Sequence, residues 1–223
     1  MSANRLELNH LAADGLLATP EGREVLSFII SCAIDEGESL VATYDGVDYE
    51  FYGELGLAEH WLTHPLDRKG QGWISACLFA RVNANNVTVP ISLRGAHARL
   101  TVSPEEAAGW TLQEGAFYGN YFRPIEQPIL WVACRGTDQA AGETGGLVDR
   151  DCAEEDPANP GYTYCGFIYA GDCTDACARY SEAGTYYGKC RVTADPHDDA
   201  NEDELDWNNL HKLRQVITTY VTP

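Results

Sequence analysis

Basic residues are scarce in this chain, with 15 Lys and Arg set against 34 Asp and Glu for a formal charge of −19. A surface so acidic repels phosphate backbones, and no stretch gathers the few cations into a basic stripe, so nucleic acid is excluded as a partner. Long apolar runs are missing as well. The strongest, Val25 to Ile34, is half of the roughly 20 residues that a bilayer span requires, which excludes a membrane span within this sequence. Gly-x-Ser-x-Gly, glycine-rich phosphate loops and the Cys-Gly-x-Cys-Trp surroundings of papain-like enzymes are all absent, so the familiar hydrolase and nucleotide-binding classes lose support. Met1 to Leu8 has no basic start followed by an apolar run, the pattern of an export signal.

Cysteine and apolar residues are plentiful by contrast. With 223 residues and 44% apolar composition, the chain can build one good hydrophobic core, or a core with an annex. Its eight cysteines are Cys32, Cys77, Cys134, Cys152, Cys165, Cys173, Cys177 and Cys190, and six of them follow residue 130. The later part is rich in Gly, Tyr, Asp and Pro and poor in aliphatics, so cross-links have to replace core burial there. Disulfides are the favoured reading. Zinc is disfavoured because Cys173 and Cys177 are the only close pair and no nearby His completes a ligand set. Cys32 and Cys77 lie on apolar helical patterns, where free thiols acting as small hydrophobes are the alternative. Disulfides imply a secreted, periplasmic or cell-surface location. We expect the export signal to have been removed, with Met1 added in its place.

Residues 1 to 18 carry a loose leucine pattern that suits a docked arm. Thr19 as cap and Pro20 at the first helical position predict a helix over 20–33. Leu40 to Tyr44 and Val47 to Tyr52 read as a hairpin turned at Asp45-Gly46. Trp73, Ala76, Cys77 and Ala80 predict a buried helix over 72–82. Val87 to Leu93, Ala116 to Phe122 and Ile129 to Cys134 read as strands, Ser103-Pro104-Glu105-Glu106 as a capped helical turn, and Gln215 to Val221 as a strand closing the sheet. From Asp149 to Asp206 there are 15 acidic and 4 basic residues. The division expected is an α+β core over 1–135, an acidic cysteine-rich annex over 136–206, and a strand over 207–223 returning to the core. The fold class is α+β, a mostly antiparallel sheet with two packed helices and a disulfide-rich C-terminal annex.

Three segments carry a resemblance: Trp73-Ile74-Ser75-Ala76-Cys77-Leu78-Phe79-Ala80-Arg81-Val82-Asn83, Val89-Pro90-Ile91-Ser92-Leu93-Arg94-Gly95, and Glu114-Gly115-Ala116-Phe117-Tyr118-Gly119-Asn120. Together with Val25 through Ile34 they resemble a group of uncharacterised exported proteins of myxobacterial type, over roughly residues 5 to 190. The resemblance implies export and cysteine pairing, and no assigned chemistry. The chain departs from that group in lacking a leucine-asparagine-glycine repeat.

Several constellations are candidates for chemistry. His60 and His64 stand four apart, which on a helix puts both on one face, yet Trp61 occupies the place where a zincin has its Glu, and Pro65 ends the helix. Glu114 to Asn120 combines a carboxylate, aromatics, glycines and an amide, as where a ligand approaches a strand's backbone. Were this a site, Glu114 would be the general acid or base, Tyr118 a stacking or proton-donating group and Asn120 an orienting donor. A glycosidase needs a second carboxylate about 5 to 9 Å away, for which Asp48, Glu50 and Glu54 are candidates. Packing into a core strand is the simpler role for the same residues. Asp199, Asn201 and Asp203 alternate as calcium ligands do, but Glu204 and Leu210 stand where an EF-hand needs Gly and a bidentate carboxylate, which leaves a different calcium loop or a solvated acidic linker. Asn86-Val87-Thr88 matches a glycosylation acceptor. Tyr164, Tyr169 and Tyr186 are among the tyrosines of the annex that offer flat faces to sugar rings, or pack around disulfides.

The function expected is therefore an extracytoplasmic binding or surface-interaction protein, for glycans and supported by calcium. The alternative is a secreted hydrolase using Glu114 with a second carboxylate or His64.

Overall fold

A computed structural model describes residues 15–85, 87–123, 130–142, 144–179, 185–191 and 212–223. The chain forms two compact units, Met1–Ile74 and Ser75–Pro223. In the first, helix α1 (Pro20–Ala33) begins where Thr19 Oγ1 accepts from the Gly22 amide at 3.0 Å and Pro20 presets the first turn. It buries Leu26, Ile29, Ile30, Cys32 and Ala33. Strands β1 (Ser39–Tyr44) and β2 (Val47–Tyr52) follow as an antiparallel hairpin. Asp45 and Gly46 have φ of 50° and 76°, the left-handed pair that a two-residue turn needs to match strand twist. One face of this ribbon is polar: Ser39 Oγ and the Tyr52 hydroxyl both donate to the Glu50 carboxylate, at 2.7 Å each, and Thr43 Oγ1 donates to Asp48. These bonds, that from Tyr52 first, hold Glu50 below the usual carboxylate pKa.

A 3₁₀ turn (Glu59–Leu62) precedes helix α2 (Arg68–Arg81), whose first turn is closed by Asp67 Oδ1 accepting from the Gly70 amide at 2.7 Å. The helix starts a turn before the apolar pattern does, because this polar cap, and no apolar residue, sets its beginning. Residues 72–80 are buried without interruption, so the helix lies in protein around its whole circumference.

The second unit is built on a five-stranded sheet with the order β3-β10-β4-β5-β6. Strand β3 (Ser92–Arg94) is all that pairs of the apolar stretch from Val87; Pro90 has no N–H to give to a ladder. Helix α3 (Pro104–Gly109) is capped by Ser103 Oγ, which accepts from the Glu106 amide. Strand β4 (Leu112–Gly119) is buried along seven of its eight residues, as a central strand covered on both faces must be. It pairs antiparallel with β5 (Trp131–Arg135). Helix α4 (Thr137–Ala141) and a 3₁₀ turn (Gly145–Asp149) then lead through the Cys152–Cys165 bridge to β6 (Ile168–Asp172), parallel to β5. Helix α5 (Cys173–Ala176) and strands β7 (Cys177–Arg179), β8 (Tyr187–Arg191) and β9 (Lys212–Leu213) follow, the three strands forming an antiparallel sheet. The last strand, β10 (Val216–Val221), runs between β3 and β4.

The fold is thus α+β, with pairings antiparallel apart from β5 with β6. The compact units part at Ile74, and residues 168–172 are a strand of the main sheet, paired with β5. Tyr, Gly and Asp in Ile168-Tyr169-Ala170-Gly171-Asp172 conceal that strand from a propensity argument.

Every cysteine is oxidised. Cys134 is joined to Cys173, Cys152 to Cys165 and Cys177 to Cys190. Cys32 and Cys77 are disulfide-bonded too, so the alternative of free thiols there is corrected. No described helix is long and apolar enough to cross a membrane.

Candidate functional site

Glu114 is fully buried on β4, and its two oxygens are occupied. Arg150 Nε donates to Oε1 at 3.1 Å and Arg150 Nη2 to Oε2 at 2.9 Å, while Thr219 Oγ1 donates to Oε2 at 2.8 Å. The same guanidinium donates to the carbonyls of Ala80 and Val82 at 2.8 and 3.1 Å, tying the end of α2 to the sheet. Burial pushes the Glu114 carboxyl upward, and Arg150 acts against that shift. A general acid or base needs an approach for substrate; the structure places Glu114 in the core instead, engaged in holding the unit together. Tyr118 is equally buried, its hydroxyl donating to the Arg191 carbonyl at 3.0 Å and kept protonated by burial. Asn120 Oδ1 accepts from the Phe122 amide and shapes the turn after β4. Glycine does mark a close backbone approach here, but what approaches is protein. A Cβ on Gly115 would stand 2.4 Å from the Cys134 carbonyl oxygen, and one on Gly119 would stand 1.9 Å from that of Leu130.

The other candidates are dispersed. Asp48, Glu50 and Glu54 belong to the first unit, with Asp48 and Glu50 on the exposed hairpin. His60 faces Asp67 at 3.5 Å, and His64 Nδ1 meets Thr63 Oγ1 at 2.8 Å. A 3₁₀ turn at Glu59–Leu62 replaces the α-helix that would align the two imidazoles. Among the described residues no third ligand joins them. Asp199, Asn201 and Asp203 lie outside the described residues, as does Asn86.

One open cleft of about 410 Å³ does combine ligand-binding chemistry. It is lined by the segment Arg94 to Val102, Arg99 excepted, and by Thr185 and Tyr186. Its floor is set by the end of β3 and by a 3₁₀ turn (Ala98–Leu100) that His97 caps, Nδ1 accepting from the Arg99 amide at 3.2 Å. Arg94 is 4% exposed. Nε donates to Ser92 Oγ at 3.0 Å, Nη2 to the Trp110 carbonyl at 2.6 Å, and the guanidinium lies 3.8 Å over the Tyr220 ring. Tyr220 is itself fixed by Gln113 Nε2, which donates to its hydroxyl at 2.7 Å, and Gln113 accepts from Tyr187. Burial draws the Arg94 pKa down from its very high starting value, and the side chain remains a cation. Tyr220 and the Glu106 carboxylate act electrostatically against that downward shift. A buried guanidinium hydrogen-bonded to neutral groups, beside two threonines, an imidazole and a tyrosine, favours an anionic, hydroxyl-rich ligand.

Of Tyr164, Tyr169 and Tyr186, the cleft includes Tyr186 alone; Tyr164 is exposed and Tyr169 is half-buried on β6. Arg94 and Arg150 are the residues that sequence reasoning missed. Each is one cation in an acidic chain, and nothing local marks it as buried.

The structure also assembles sulfur. Cys134, Cys177 and Cys190 have Sγ atoms all within 4.8 Å of one another, and Cys173 is bonded to Cys134. Zinc needs thiolates, and oxidised sulfurs supply none, so the disulfide reading accounts for the cluster as it stands. Compared with known proteins, the chain matches no protein-family model, no curated protein and no solved structure.

Proposed function

We propose that the protein is an extracytoplasmic binding protein that takes a glycan bearing an acidic sugar in the Arg94–Val102 cleft. The observation that carries this reading is that the buried Arg94, hydrogen-bonded to Ser92 and the Trp110 carbonyl, is among the residues lining an open cleft. Tyr186 supplies a ring for a sugar face, and Thr101 and Thr185 supply hydroxyl partners. Export is supported by the full use of cysteine in bridges, which persist in oxidising compartments. The resemblance to exported myxobacterial-type proteins points the same way. Asp199, Asn201 and Asp203 are proposed to hold calcium in support of that binding.

The test is a glycan array carrying neutral and uronic-acid-containing sugars, paired with a hydrolase substrate screen on the same sample. Retention confined to acidic glycans, weakened by salt and lost in Ala96→Trp, is the expected result; Ala96 is an exposed cleft residue, so the indole fills the cleft without disturbing the core. Retention that Ala96→Trp leaves intact, or none at all, would remove the cleft from consideration. Turnover of a glycoside would put the hydrolase in its place.

A further inference from the structure

Four of the eight cysteines meet at one point of the second unit, and they do so as two separate bridges in contact. Cys134 lies on β5, Cys173 and Cys177 bracket the single turn of α5, and Cys190 sits on β8 directly across from Cys177 in the β7–β8 register. The Cys134 and Cys177 sulfurs, which belong to different bridges, are 3.6 Å apart. Cys134, Cys173 and Cys190 are buried to within 1% exposure, whereas Cys177 is only part-buried. The turn that joins the two bridges also carries a cation: Arg191 Nη2 donates to the Asp175 carbonyl at 2.7 Å.

We propose that these two bridges form a thiol–disulfide exchange site, which takes a thiol substrate at Cys177 and relays the exchange to the Cys134–Cys173 bridge, leaving Cys190 and Cys173 as the thiols. Exchange is displacement at sulfur by a thiolate, and access decides which sulfur is attacked. An external dithiol presents one thiolate to Cys177 Sγ; the Cys177–Cys190 bond breaks, and Cys190 leaves as a thiolate and is protonated. The second thiolate of the dithiol attacks its own bonded sulfur, so that the dithiol departs as a disulfide, oxidised by two electrons, and Cys177 is released as a thiolate. That thiolate is already beside Cys134. Attack there forms a Cys134–Cys177 bond, breaks Cys134–Cys173, and releases Cys173, which takes a proton. The last step is an isomerisation with no net redox change. Cys152–Cys165, which has no other sulfur in the cluster, provides an internal control. The proposal stands apart from the cleft and does not require a glycan ligand.

Two variants of the full chain test it. Cys190→Ser leaves Cys177 as a free thiol beside Cys134–Cys173, and Cys177→Ser leaves Cys190 free; both lose the same bridge, so any cost to folding is shared. Native alkylation is followed by digestion before Asp and after Lys and Arg, which separates the three cysteines at Asp175 and Arg179. The expected result is label on Cys173 in Cys190→Ser and on Cys190 alone in Cys177→Ser. Label confined to Cys177 in Cys190→Ser would overturn the proposal. The unmodified protein treated with limiting dithiothreitol gives a second reading that does not depend on the variants: Cys173 should become labelled together with Cys190 while Cys152 and Cys165 stay protected. Label on Cys177 and Cys190 alone, prior opening of Cys152–Cys165, or no reduction short of unfolding would each refute it.

Discussion

Glu114 illustrates how a carboxylate can be chemically conspicuous and structurally committed at once. Its pair with Arg150 is closed to solvent, with side chains 0% and 2% exposed. Removing one partner of such a pair strands the other's charge in the core, which typically costs about 3–5 kcal/mol. Glu114→Gln is therefore expected to lower stability by about that amount, read as a shifted midpoint in urea unfolding. The double variant Glu114→Leu with Arg150→Met should recover much of the loss, because no charge is then left unpaired. The mixture of residue types over 114–120 was legible in the sequence. What each type is for was not, since Arg150 is 36 residues and Thr219 is 105 residues from Glu114. Arg94 was hidden for the same reason: its meaning comes from Tyr220, Trp110 and Ser92, two of which are distant in the chain.

At the scale of elements, local chemistry was a good guide wherever the signal is local. Thr19-Pro20 and Ser103-Pro104 start α1 and α3, and Asp45-Gly46 turns the hairpin. Thr19→Ala removes the acceptor of the Gly22 amide and should cost about 1 kcal/mol, measured as a drop in Tm. Gly119 makes a stronger claim on its strand. Its φ of 143° and the Leu130 carbonyl against its absent Cβ leave no room for a methyl group. Gly119→Ala should destabilise by about 1–3 kcal/mol through the displaced β4–β5 pairing, while an alanine at Gly37, where nothing lies within 4 Å of the Cβ position, meets only its own positive φ and should cost less; parallel urea titrations of the two compare them. Strand β6 escaped sequence reasoning because its identity rests on lying beside β5, a non-local fact.

For the whole molecule, the cysteine count was the most informative number in the sequence, since parity and clustering follow directly from the positions, whereas partner choice needs the fold. Denatured, unreduced protein is expected to give no free thiol in an Ellman titration; eight would remove the extracytoplasmic assignment together with the exchange site. Each bridge closing a loop of the size between Cys152 and Cys165 contributes about 2–4 kcal/mol by restricting the unfolded chain. The acidic stretch around Asp199, Asn201 and Asp203 adds a separate expectation: Tm should rise in millimolar calcium and fall back with EDTA, by ligand-linked stabilisation. No rise would remove calcium from the proposed function.

The position of β10 has a consequence for biogenesis. Val216–Val221 is the strand that joins β3 to β4, so a chain made from its N-terminal end has all eight cysteines in place before the sheet's interior seam can zip shut. A bridge closed in that interval forms on a sheet whose β3 and β4 are still unjoined.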